Sequence, residues 1–105
     1  MAALHFHTKE FEEALAAPGV LVVDFWASWC MPCKMLAPTI ENLADAYVGR
    51  AVVAKVDIDE EETLARQYGI QSIPTVMVFK NGEKVATLVG VRSYDAYTEE
   101  IDKVL

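Results

Sequence analysis

The chain predicts an α/β architecture: a central mixed five-stranded sheet flanked by four helices, with three parallel strands and a C-terminal antiparallel hairpin. Three observations carry this. Val20-Leu21-Val22-Val23-Asp24-Phe25-Trp26 is nearly all apolar, as is Ala51 to Asp57, which marks strands covered on both faces. Between them Leu36, Ile40, Leu43, Ala44 and Tyr47 recur at helical spacing, so a helix joins the two strands. Thr75 to Lys80, then Asn81-Gly82, then Glu83 to Val89 reads as two strands around a type I′ turn. Strands alternating with helices imply right-handed crossovers and parallel pairing, closed by the antiparallel hairpin.

Each element has its own signal. Residues 3–7 open with a short first strand, in which His5 and His7 alternate with Leu4 and Phe6 and so face solvent. Thr8 N-caps a helix to about Ala17, with Glu10 near its positive end and Phe11, Ala14 and Leu15 on one face. Pro18-Gly19 ends it. The central helix runs from about Cys30 to Val48, and Pro38 predicts a kink. Glu60-Glu61-Glu62 opens a short helix ending near Tyr68-Gly69, its charge complementing the helix start. Ser93 caps a last helix that turns Tyr94, Tyr97, Ile101 and Val104 inward.

Bulk properties exclude several classes. The length fits one domain, residues 1–105, and 53% hydrophobic residues suffice for a core. Lys and Arg number 9 against 16 Asp and Glu, a net charge of −7. Such acidity argues against nucleic acid and anionic membranes as partners. No apolar run approaches the roughly 18 residues of a membrane span. Met1 to His7 lacks the basic n-region and long h-region of a signal peptide. Two cysteines without a disulfide framework then point to a reducing compartment, with the cytoplasm as the expected location.

Those two cysteines lie in Trp29-Cys30-Met31-Pro32-Cys33-Lys34, where strand gives way to helix. Residues i and i+3 share a helix face, their Cβ atoms roughly 5–6 Å apart. A modest adjustment brings them within reach of a disulfide. The pair can therefore pass between dithiol and bridge with little backbone movement, as a reversible redox couple requires. The helix start also favours thiolate over thiol at Cys30. Blander explanations fare worse. A structural zinc needs about four ligands, and His5 and His7 stand far upstream at no common spacing. A structural bridge around so small a loop would remove little unfolded-state entropy.

Other residues add to the motif. Asp24 is a carboxylate inside a run that should be buried, so desolvation should raise its pKa toward neutrality. Lys55, within Val52-Val53-Ala54-Lys55-Val56, either lies beside Asp24 and tunes it or snorkels to water. Ile73-Pro74 precedes a strand, where a cis peptide bond fits.

Taken together, Asp24-Phe25-Trp26-Ala27, Trp29-Cys30-x-Pro32-Cys33-Lys34, Pro38, Lys55, Asp59, Ile73-Pro74-Thr75, Lys80-Asn81-Gly82 and Gly90 resemble the thioredoxin family over nearly the whole chain. The resemblance implies the thioredoxin fold and thiol–disulfide exchange as a general protein-disulfide reductase. It makes Cys30 the nucleophile, Cys33 the resolving thiol, Asp24 the proton acceptor for Cys33 and Lys55 a tuning residue. Trp29, Met31, Pro32, Ile73, Pro74, Gly90 and Val91 become the substrate-binding surface, with Ile73 offering its main chain to the substrate.

The implied partners are disulfide-containing proteins and a thioredoxin reductase, either a flavoprotein or ferredoxin-linked. No nucleotide motif appears, so no cofactor is expected, and no metal; a monomer is expected too. The alternatives are a binding subunit of the same fold, or a more oxidising oxidase or isomerase. Three positions depart from the family's habit. Met31 stands where Gly is usual, Ser72 where Gly is common and Val91 where Ala is common, so redox potential and docking surface are both altered.

Overall fold

A computed structural model describes residues 3–105. Five strands form one sheet: β1 (Leu4–His5), β2 (Val20–Trp26), β3 (Ala51–Asp57), β4 (Thr75–Lys80) and β5 (Glu83–Val89). Their order across the sheet is β1-β3-β2-β4-β5. The pairs β1–β3 and β2–β3 are parallel, whereas β2–β4 and β4–β5 are antiparallel. Helices α1 (Thr8–Ala16), α2 (Met31–Ala46), α3 (Glu62–Gln67) and α4 (Tyr94–Asp102) complete the chain.

Strand alternation divides the core in two. Val20 and Val22 of β2, with Val53, Val76, Val78 and Leu88, pack under Leu36, Ile40, Leu43 and Tyr47 of α2 and its end and under Tyr97 and Ile101 of α4. Leu21, Val23 and Phe25 face the other way, with Val56, Met77 and Phe79, against Phe11 of α1 and Leu64 of α3. Phe11, Tyr68 and Phe79 meet edge to face, with centroids 5.4–5.8 Å apart. Burial on both faces explains why β2 carries no solvent-facing polar alternation.

The hairpin turn forms as its sequence predicts. Asn81 and Gly82 have φ of 50° and 83°, the pair of positive values that a type I′ turn needs. Asn81 is also tied to Gly19, which donates its N–H to Asn81 Oδ1 at 2.7 Å. A Cβ on Gly82 would sit 2.9 Å from the Leu15 carbonyl oxygen, so the turn needs glycine for space as well as for conformation.

Several boundaries differ from the expected ones. The first strand is two residues, not five. His7, not Thr8, occupies the N-cap of α1. Thr8 is the first helical residue, and its N–H and hydroxyl both donate to Glu61 Oε1, at 2.9 and 2.8 Å. A carboxylate brought from far along the chain thus adds to the local cap, in which Glu10 Oε1 accepts the His7 N–H at 3.0 Å. Helix α2 begins at Met31 with Cys30 as its N-cap, and it ends at Ala46 rather than Val48. Tyr94, the first residue of α4, is exposed, contrary to expectation. Tyr97 and Ile101 are buried as predicted, and Val104 packs against them at the edge.

Candidate active site

The site forms where the C-terminal end of β2 meets the start of α2. Cys30 has extended φ and ψ of −92° and 108°, the geometry of an N-cap. Its sulfur occupies the place that a Ser or Asp oxygen usually takes, accepting the N–H of Cys33 at 3.2 Å. Cys30 and Cys33 are joined in a disulfide with Cα atoms 5.3 Å apart. The sequence picture of two cysteines within one helix needs this correction: Cys30 stands just outside the helix and Cys33 in its first turn. Pro32 follows Met31 in that turn, where its missing N–H leaves no intrahelical bond unmade.

Both sulfurs sit in a small apolar cluster with Ala27, bordered by Trp26, Ile58 and Ile73. Cys33 lies under the helix and Cys30 at its tip. The sulfur of Cys30 is 3.8 Å from the carbonyl oxygen of Ile73. The Ile73–Pro74 peptide is cis, and Pro74 accepts the N–H of Gly90 on its carbonyl at 2.8 Å. The start of α2 and the 73–74 loop therefore meet at Cys30, and the 90–91 loop is tied to the second of them through Pro74.

Around them Trp29, Met31, Pro32 and Val91 are exposed, Ile73 and Gly90 are half-buried, and Pro74 is buried. Trp29 and Met31 show 67% and 64% of their surface, which is large for apolar side chains on one small face. Trp29 is nevertheless fixed, donating its indole N–H to Asp59 Oδ2 at 2.8 Å. Asp59 is in turn held by its own N–H on Asp57 Oδ1.

On β2, three residues before Ala27 of that cluster, Asp24 is 1% exposed, and neither of its oxygens has a hydrogen-bond partner among the described residues. Burial pushes its carboxyl up to about 7, with the Lys55 charge pulling it back down. Strand register places Lys55 directly beside Asp24 on the α2 side of the sheet. Yet the Lys55 ammonium lies over the Trp26 ring, 4.4 Å from its centroid, and not on the carboxylate. Of the two readings of Lys55, the one that puts it beside Asp24 has the right placement; the contact is through space, without a hydrogen bond.

Two contributors escaped the sequence reading. Tyr97 reads as core, but its hydroxyl accepts the Arg92 N–H at 3.1 Å and donates to the Gly90 carbonyl at 3.4 Å, which anchors the 90–92 loop. Burial raises its pKa most, and the nearby Asp24 charge also raises it. Trp26 reads as one more strand residue, and only the register shows that it receives Lys55. Neither could be found from spacing, since both contacts join segments distant in sequence.

Comparison with known proteins agrees with this geometry. A family model described as Thioredoxin matches residues 2–103. The chain is 47% identical over 96 residues to a thioredoxin of Chlorobaculum thiosulfatiphilum, covering 90% of this chain and 89% of that one. It is 44% identical over 105 residues to thioredoxin of Staphylococcus epidermidis, covering both chains completely. A solved mutant thioredoxin from Halobacterium salinarum NRC-1 superposes with a TM-score of 0.90 at 36% identity, covering 98% of this chain and 90% of that one. With a redox-capable cysteine pair at the helix start and this likeness along the whole chain, the protein belongs to the thioredoxin family of thiol–disulfide oxidoreductases.

Proposed function

We propose that the chain is a single-domain, monomeric, general protein-disulfide reductase in which Cys30 attacks, Cys33 resolves and Asp24 moves the proton. The observation that supports this most is the setting of Cys30. Its sulfur is capped by a helix N–H, lies 3.8 Å from a main-chain carbonyl, and borders an exposed apolar face, while the strand that leads into it carries a buried acid.

The Cys30 thiolate displaces one sulfur of the substrate disulfide, which leaves as a thiolate and takes a proton from solvent. Cys33 then passes its proton to the Asp24 carboxylate, directly or through water, and attacks the Cys30 sulfur. The second substrate sulfur leaves, Cys30–Cys33 closes, and two electrons have passed to the substrate. An Asp24 pKa of about 7 leaves both of its forms populated at neutral pH, as a proton carrier requires. Lys55 limits how far that pKa rises. Main-chain pairing at Ile73 ignores side-chain identity and so suits many substrates, while Trp29, Met31, Pro32, Gly90 and Val91 supply apolar contact around Pro74.

The oxidised pair must then be reduced by a thioredoxin reductase, flavoprotein or ferredoxin-linked. The cysteine usage fits a cytoplasmic carrier of electrons, and among the described residues no helix is long and apolar enough to cross a membrane. Insulin-disulfide reduction by wild type, Cys30→Ser and Cys33→Ser tests the reading. Both variants should lose turnover, and only Cys33→Ser should accumulate a mixed disulfide. Turnover that survives Cys30→Ser would end it. A binding subunit would show no turnover in wild type either, and an oxidase would equilibrate with glutathione far on the dithiol side.

A further inference from the structure

We propose that a polar cavity beside the Pro74 loop is a substrate subsite for an acidic side chain, with Lys84 as its counter-charge. This rests on the reductase reading and names a substrate class for it. The cavity, about 240 Å³, lies between the 69–72 segment and the outer face of β4 and β5. Ser72 and Thr75 border one end, immediately flanking Ile73 and Pro74, and Lys84 closes the other, with Gln71 and Thr87 between.

A β-bulge aims the lysine there. From Thr75↔Val89 to Val78↔Ala86 the hairpin keeps one register, and then Phe79 pairs with Lys84, which leaves Val85 as the extra residue. Directly paired residues share a face, so the bulge puts Lys84 on the side of Phe79, Met77 and Thr87. Without it, Lys84 would face the α4 side.

Charge singles out this lysine. It is the one ionisable cation lining the cavity, no carboxylate there opposes it, and no ion pair engages it among the described residues. The chain as a whole carries −7. Its general field therefore favours basic partners, and an acid preference confined to one position would be the signature of this cavity alone.

The distance suits a bound chain. Four residue steps along β4 lead from Thr75 to Phe79, about 13 Å of strand, and the lysine's flexible stem shortens the remaining gap. A substrate strand paired with Ile73 would bring a residue three to five positions from its reactive cysteine over the cavity.

The test uses reduced protein and alanine-based peptides whose one cysteine is bonded to a chromogenic aromatic thiol. Glu, Gln or Lys is placed at each position from two to six residues on either side. Wild type should react with the Glu peptide about two- to fivefold faster than with the Gln peptide at one position only, the gain typical of an exposed ion pair. Lys84→Gln should abolish that gain, and Lys84→Glu should reverse it. The Gln peptides should react equally with all three proteins, and their reaction reports the reductase reading by itself. A Lys84→Gln effect equal at every Glu position would reflect the overall field and overturn the subsite. So would a preference for Lys peptides throughout. If the Gln peptides fail to react with wild type, the reductase reading falls and takes the subsite with it.

Discussion

Replacing Asp24 by Asn should remove a pH-dependent loss of stability that the buried carboxyl imposes. Burial holds its pKa at about 7 in the fold, against 3.8 for an ordinary aspartate, with Lys55 opposing the rise. The folded state therefore grips the proton more tightly than the unfolded chain does. Stability from this group is full below pH 4 and declines between about 4 and about 7, where the unfolded chain ionises first. Above that window the loss is complete. The interval of about 3 units, at about 1.36 kcal/mol each, sets it on the order of 4 kcal/mol. Asparagine keeps the size and has nothing to ionise, and its buried amide costs about as much as a neutral carboxyl. The variant should thus match wild type at pH 4 and exceed it by about 3–4 kcal/mol at pH 8. Urea unfolding of both oxidised proteins at the two pH values measures this, and their shared groups cancel in the difference. A difference that does not change with pH would refute the raised pKa. A large loss already at pH 4 would show that the carboxyl serves the fold through hydrogen bonds.

Three further outcomes are expected. Limiting iodoacetamide at pH 7 should label reduced Cys30 ahead of Cys33, since the helix start lowers its pKa below the roughly 8.5 of a free thiol; peptide mapping that finds mainly Cys33 would reverse the roles. Met31→Gly should leave the fold intact and shift the redox equilibrium by about 10–40 mV, or roughly 0.5–2 kcal/mol. Exchange with the unmodified protein measures that shift, and an equilibrium constant of one would move Met31's effect to partner choice. Glu61→Ala should cost about 1 kcal/mol by uncapping α1, read by urea unfolding. The His7–Glu61 contact raises the His7 pKa, so its contribution is present below about pH 6.5 and is lost as His7 deprotonates. The variant's deficit should accordingly shrink as pH rises through neutrality.

The strands and the motif were legible because their signals are local. Val20 to Trp26 needed only its unbroken apolar run, and the hairpin only Asn81-Gly82 between two strand-like segments. Cap assignments failed where the partner was remote. Thr8 has the chemistry of an N-cap, but Glu61 reaches across from the start of α3 and makes Thr8 the first helical residue instead. The acidic triplet likewise reads as charge for its own helix, and Glu61 spends its oxygens on α1. Asp24 was legible as an anomaly, a charge in an apolar run. The ring beneath Lys55, the Tyr97 hydroxyl under the 90–92 loop and the bulge at Val85 were not, since each depends on register between strands or on packing between distant segments.

The proposed chemistry depends on Lys55 being near Asp24 without pairing to it. A hydrogen-bonded ammonium would satisfy the carboxylate and depress its pKa, and an acid ionised well below neutrality would take up a proton from Cys33 only weakly. Trp26 prevents this. It follows Asp24 by two residues on the same face of β2, and its ring draws the ammonium to 4.4 Å from its centroid. The carboxylate oxygens have no hydrogen-bond partner among the described residues, and desolvation outweighs the lysine's charge. Each of the three residues would be costly or unremarkable alone: a buried acid, a buried lysine, a strand tryptophan. Their spacing on two adjacent strands is what lets burial set a pKa of about 7 on the strand that leads into the cysteine pair, as the proposed proton transfer from Cys33 at neutral pH requires.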